Sequence, residues 1–405
     1  MEEDIKILFA KEQKRGAVLK VIGVGGAGGN AITRMIDEKM KGVDFVAINT
    51  DVQVLSRIRE PAARMQIGEK ITKGLGAGSN PDIGEQAALE DTDAIIEMLE
   101  GAHMVFITAG MGGGTGTGAS HVIANHASSM GILTVAVVTK PFHFEKEKRM
   151  RIAEEGIKKL KECADAIIVI PNQRLLELGD PNITYKDAYK KADEVLLQAV
   201  RGISDIINHT GCQNVDFADV KSTMVGKGMT LMGTGEAKGE NRAEEATHKT
   251  LHSPLLDNMS IQGATGILYN ITAASNLTLV EIEKISDMIT RNADSDATIK
   301  FGVIEDESLG DTLRVTVVAT GFREGEPVSQ SKFKTSPMFA GKTDTPHRQP
   351  TPQLFLNKNR LSPSGVDITG YINEGNMPSM SHGPEDFDDP LDIPTFQRQS
   401  SHKKK

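Results

Sequence analysis

Between residues 17 and 170 five apolar runs, AVLKVIGVG, DFVAIN, MVFIT, ILTVAVVT and AIIVI, alternate with segments of helical periodicity. A strand with one wet face alternates apolar and polar residues. Runs that stay apolar throughout are buried on both faces, the condition of parallel strands joined by crossover helices. The intervening patterns predict helices from Asn30 to Met40, around Glu85 to Leu99, Thr117 to Met130 and Glu145 to Cys163. Residues 17–186 therefore read as an α/β domain with a doubly wound, mostly parallel sheet. The proline-free stretch from Asp187 to Asn208 has apolar residues at helical spacing and predicts a long central helix over 187–210. Beyond it, GILYNITA, ATIKFGVIED and DTLRVTVVATGF read as strands, with a helix from Val280 to Arg291. They make 211–322 a second, smaller α+β domain.

Ten of the sixteen prolines lie from Pro327 onward, where no stretch sustains either periodicity. Residues 323–386 read as a disordered linker with a reach of about 45 Å, leaving 1–16 as an N-terminal extension and 387–405 as a C-terminal peptide with a basic end. The chain carries 46 basic and 55 acidic residues, a net charge of −9, without the basic stripe of a nucleic-acid binder. Its two cysteines, Cys163 and Cys212, support neither a disulfide framework nor a cysteine-rich metal site, and no metal-ligating cluster is predicted. The N-terminus puts acid ahead of a short apolar patch, unlike a secretory signal, and no run of about 18 apolar residues is present. The expectation is a soluble cytoplasmic protein with no direct membrane insertion.

Two glycine clusters sit at strand ends. GVGGAGGN closes the first strand and opens a helix, with Gly23, Gly25 and Gly28 in GxGxxG spacing. Glycine lets backbone approach a ligand, and a helix start offers free amides to phosphate; a ligand-free strand-to-helix turn has the same spacing. A dinucleotide site also needs an acid at the end of the next strand, where VAINTD places Asn49, with Asp51 two residues later. The second cluster, AGMGGGTGTGAS, packs six glycines between Gly110 and Gly118 directly after MVFIT. Side by side on one sheet edge, two such loops would cradle a polyphosphate, with Thr115 and Thr117 adding neutral donors. No GxxxxGK[ST] loop occurs.

GGGTGTG at Gly112 to Gly118 resembles the signature loop of the tubulin and FtsZ superfamily, and residues 17–322 are similar to it throughout. GVGGAGGNA, AINTD, GLGAG, VVTKPFHFE, VIPN, NVDFADV, GENRA and DESLGD follow in order. The resemblance implies a self-assembling GTPase of cell division, with GTP and GDP as substrate and product and Mg2+ as companion ion. By that resemblance Gly26, Ala27, Gly28, Gly29 and Asn30, with Gly114, Thr115 and Gly116, hold the phosphates, and Ala77 and Gly78 lie near the terminal one. Glu145 and Arg149 meet the ribose, with Asn172 nearby, and Tyr189 and Asp193 meet guanine. A carboxylate or amide there selects guanine over adenine, which presents an acceptor where guanine presents a donor.

Asp216 and Asp219 in NVDFADV are the candidate catalytic acids. Spaced three apart they face one way on a helical turn, although an acidic turn or helix cap has the same spacing. In the family this loop completes the site of a neighbouring copy, so the implied assembly is a head-to-tail homopolymer at the mid-cell division site, on the inner face of the membrane. LDIPTFQRQ, Leu391 to Gln399, resembles the peptide that binds membrane-anchoring and regulatory division proteins. The chain departs from the family pattern at Ala27, at Ser120 and His121, at Gln173, and in GCQ at Gly211 to Gln213. Two rival readings are a dinucleotide-dependent oxidoreductase and a nucleotide-bound filament without useful hydrolysis.

Overall fold

The computed structural model describes residues 16–177, 183–208, 215–253, 256 and 261–322. Residues 1–15, GCQ, the linker and the C-terminal peptide lie outside the described residues. The first part of the chain runs β1 (Leu19–Val24), α1 (Gly25–Asp37), β2 (Asp44–Asn49), α2 (Val52–Leu55), β3 (Ala63–Gln66), α3 (Glu69–Thr72), α4 (Pro81–Glu90) and α5 (Thr92–Leu99). It continues through β4 (Met104–Gly110), α6 (Thr115–Ser129), β5 (Leu133–Lys140), α7 (Glu147–Cys163), β6 (Ala166–Pro171) and α8 (Asn172–Glu177). The central helix α9 (Tyr185–Asn208) leads to α10 (Phe217–Met224), β7 (Gly228–Lys238), α11 (Arg242–Leu251), β8 (Gly266–Ala273), α12 (Leu279–Arg291), β9 (Thr298–Glu305) and β10 (Thr312–Thr320).

The strands lie in the order β3-β2-β1-β4-β5-β6-β7-β10-β8-β9. From β3 to β6 every pairing is parallel, as the uninterrupted apolar runs require. Successive residues of each strand feed opposite layers. Leu19 and Val21 of β1, Met104 and Phe106 of β4, and Val135 and Val137 of β5 join α1, α9 and α10 in one core. Ile22, Val24, Val105, Ile107, Ala136 and Val138 join α4 to α7 in the other. A third core forms where β8 and β10 pack against α11 and α12. The second α+β lobe extends the same sheet instead of building its own: β7 pairs with β6 through Ala166↔Gly228 and Ile167↔Met229 only, then turns to antiparallel pairing with β10.

Several elements differ from the sequence expectation, and glycine explains most of them. α1 starts at Gly25, five residues before the expected Asn30. Gly25 makes the turn at φ +73°, and a Cβ on Gly28 would stand 2.5 Å from the Thr108 carbonyl of β4. Low helix propensity is overridden by close packing. The expected helix from Glu85 to Leu99 is two helices, α4 and α5, meeting at Asp91. Strand β7, GMTLMGTGEAK, and helix α11 were not expected; Gly233 and Gly235 lie so close to Thr250 and Ala246 that a Cβ would collide with their carbonyls. Glycine read as punctuation here is the contact surface for a helix.

Candidate active site

Strands β1 and β4 are parallel neighbours, Val24 opposite Ala109, and their connections leave in opposite directions. A crevice opens at such a switch point, outside the carboxyl ends of the strands. Both glycine clusters end there. A Cβ on Gly25 would lie 2.9 Å from the Gly116 amide nitrogen, and one on Gly114 2.8 Å from Ala77 Cβ. Three loops are thus locked together by missing side chains. The lock is tightened by Thr50 and Thr115, whose hydroxyls lie 2.7 Å apart, and by Thr117 Oγ1, which accepts from the Gly112 amide at 2.8 Å.

The crevice is a cavity of about 210 Å³. It brings together Gly26, Ala27, Gly114, Thr115 and Gly116 on one side, and Glu145, Arg149 and Asp193 on the other. Asn172 and Tyr189 also line it. Gly28, Gly29 and Asn30 do not: Gly28 packs on β4, Gly29 faces Ile58, and Asn30 is exposed on α1. Gly113 joins the lining instead, and at Gly26 and Gly113 a Cβ would meet nothing of the protein within 4 Å. These two glycines keep the wall free for a ligand, whereas Gly28 and Gly29 serve packing within the protein. Asp51, the remaining hope of a dinucleotide site, accepts from the Gln53 and Val54 amides as the cap of α2.

On the far wall, Glu145 Oε1 accepts the Phe142 amide at 3.0 Å and Oε2 pairs with Arg149 at 2.6 Å. Asn172 is buried and its Oδ1 has no hydrogen-bond partner, an acceptor left for a ligand donor. Tyr189 meets Phe142 edge-on at 5.1 Å and Tyr185 at 4.9 Å. Burial, helped by the nearby Glu145 carboxylate, pushes its phenol well above the usual value. Burial also drives the Asp193 carboxyl up to about 7, against the opposing pull of Arg34. Once ionised it accepts two parallel N–H donors, the pattern on one edge of guanine.

Asp216 and Asp219 are elsewhere. Asp216 caps α10, its Oδ1 taking the Asp219 amide at 2.7 Å, and Asp219 Oδ1 pairs with Lys300 Nζ at 2.8 Å. Lys221 Nζ on the same helix reaches the Gly131 carbonyl, just ahead of the start of β5. The acids therefore lie at the amino edge of the sheet, one strand length or about 26 Å from the glycine loops. Helix α9 gives the same measure. It carries Tyr189 and Asp193 at the cavity and ends at Asn208, bonded to Gly42 ahead of β2, after 24 residues or about 36 Å. Lys300 escaped the sequence reading, although a lysine inside the apolar run ATIKFGVIED was the visible signal.

A family profile described as "Tubulin/FtsZ family, GTPase domain" matches residues 18–180, and one described as "FtsZ family, C-terminal domain" matches residues 228–323. "Cell division protein FtsZ" of Pseudomonas aeruginosa is 48% identical over 398 residues, 95% of this chain and 97% of the relative. Its counterpart in Buchnera aphidicola is 45% identical over 96% and 98%. Among solved structures, "FtsZ dimer, empty (M. jannaschii)" superposes with a TM-score of 0.72 at 46% identity, covering 76% of this chain and 89% of that one. CetZ2 from Haloferax volcanii shares the fold at 20% identity, with a TM-score of 0.64.

Proposed function

Since the chain belongs to the FtsZ family of tubulin-like GTPases, we propose that it assembles head to tail into filaments at the bacterial division site and hydrolyses GTP at the junctions between subunits. GTP binding and a GTPase activity come with the family. The dependence of that activity on assembly is inferred from one observation: the acids and the glycine loops occupy opposite edges of the sheet, too far apart to act on one nucleotide within a single subunit. Stacked in one direction, each copy presents its acidic turn to the phosphate loops of the next. Such a contact is heterologous and, unless the rotation closes, continues as an open filament.

In this reading Asp193 and Tyr189 hold guanine, Glu145 and Arg149 the ribose, and the amides around Gly26 and Gly113 to Gly116 the phosphates. Asp216 and Asp219 of the adjoining copy orient a water. Its oxygen bonds to the γ-phosphorus as the bond to the β–γ bridging oxygen breaks; the electron pair leaves with GDP and the water proton passes to phosphate or solvent. The carboxylates lining the cavity, Glu145 and Asp193, are assigned to ribose and base, and the glycine loops offer only amides and the Thr115 hydroxyl. That donor set fits Mg2+ held by phosphate oxygens and water, arriving with the nucleotide. Bound so, it would neutralise charge on the β- and γ-phosphates. Leu391–Gln399 is the segment proposed to take membrane-anchoring and regulatory partners, which would place the filament at mid-cell beneath the membrane.

Turnover per subunit against protein concentration tests the proposal. A steep rise above an assembly threshold is expected, and a flat profile overturns it. Asp216→Ala is expected to keep GTP binding and filament formation, read by sedimentation, and to lose at least tenfold in turnover. Lost binding would make Asp216 a structural cap alone.

A further inference from the structure

Lys300 breaks the pattern of its own strand. On β9 its neighbours Ile299 and Phe301 pack against the third core, and its partner across the ladder, Leu268 of β8, is buried in the first core with Val220 and Met224 of α10. Lys300 thus stands on the α10 side of the sheet, at the outermost strand, with Nζ 2.8 Å from Asp219 Oδ1. The charged groups facing it are Asp219 and Asp216, both of which favour its charged form. Lys221, the cation of α10 itself, is turned to the Gly131 carbonyl. The side chains of the pair are 39% and 36% exposed, and so open an ion pair adds little to folding. Its weight lies in charge. Two carboxylates held together would approach a triphosphate, where like charges in a closing, poorly hydrated junction repel strongly.

We propose that Lys300 is a positioning residue for hydrolysis across the junction: it fixes the carboxylate of Asp219 and cancels one of the two negative charges that the acidic turn carries toward the neighbour's triphosphate. This rests on the assignment of the two acids made above. Lys300 makes no covalent change and takes no proton; the water and phosphate chemistry is as already written. Without it the acids dock with both charges uncompensated and draw a cation from solution.

The test compares Lys300→Met, Lys300→Gln and Lys300→Arg in the full chain, with GTP turnover measured above the assembly threshold from low to high KCl. Equal GTP affinity and melting temperature are expected, because the side chain is exposed and remote from the cavity. At low salt Lys300→Met and Lys300→Gln should turn over at least tenfold more slowly than wild type, and the deficit should shrink as KCl rises. Lys300→Arg should stay within about threefold. Wild-type turnover in both neutral variants at every salt concentration overturns the proposal and leaves Lys300 as a charge guarding an edge strand. A deficit that neither arginine nor salt relieves overturns it too, because that marks a role in shape. Asp219→Ala separates the levels: if it is slow while Lys300→Met is normal, only this inference fails; if Asp219→Ala is itself normal, the assignment of the acids fails.

Discussion

Gly26 and Gly28, two residues apart, put the same sequence signal to opposite uses. A methyl group on Gly28 would strike the Thr108 carbonyl, whereas one on Gly26 would enter the cavity without touching protein. Gly26→Ala should therefore keep its melting temperature within a few degrees and lose about tenfold in GTP affinity, some 1.4 kcal/mol. Gly28→Ala should be destabilised before any effect on binding, and thermal melts beside nucleotide titrations distinguish the two. Asp193 adds a pH dependence. With its carboxyl pushed up to about 7 in the empty site, the ionised form proposed to accept guanine is depleted in acid, so affinity should fall as pH drops through neutrality, approaching tenfold per unit. Asp193→Asn should flatten that profile and weaken the preference for guanine. In folding the sign is reversed: a raised carboxyl favours the protonated native state, and its contribution is lost as pH rises through 7. At this scale the sequence announced that backbone must come close to something, but glycine against phosphate and glycine against a neighbouring strand look alike. By resemblance Gly28, Gly29 and Asn30 are phosphate contacts; in the subunit Gly28 and Gly29 pack against β4 and Ile58, and Asn30 is exposed on α1. Asp216 carries a similar ambiguity, being a helix cap in the subunit and an acid in the proposed junction.

Elements held by apolar pattern were legible; those held by one polar anchor or by missing side chains were not. β2 and β8 lie where their runs put them, while β7 and α11 were invisible because their glycines and charges mimic a loop. What fastens α11 is Arg242, buried and bonded to both Glu281 oxygens, at 2.7 and 3.2 Å, and to the Asn276 and Asp311 carbonyls. Removing one partner of a buried pair strands the other, so Arg242→Ala should cost about 3 kcal/mol in urea unfolding. The guanidinium holds the Glu281 carboxyl down to about 2. That depressed value makes its contribution present above pH 4.5 and lost as pH falls toward 2, a loss that Arg242→Ala should shrink to the part held by the Thr278 amide and hydroxyl.

Across the whole molecule one sheet runs through both lobes, narrowing to two residue pairs between β6 and β7, with α9 lying along its first core. The parallel half was readable because each strand declares its own burial, but continuity into the antiparallel half depends on contacts far apart in the chain. In the proposed filament, the separation of acids from cavity would also shape mixed assemblies. Doping wild type with Asp216→Ala should lower turnover in proportion to the mutant fraction, since each bad subunit silences the one junction it serves. The same separation sets an accounting of ends. In the proposed one-way stack every interior nucleotide would be served, while the terminal subunit with no acids above its cavity would keep its nucleotide idle. A pair would work at half its capacity, a long file at nearly all of it, and the idle end would be the place where unhydrolysed nucleotide persists.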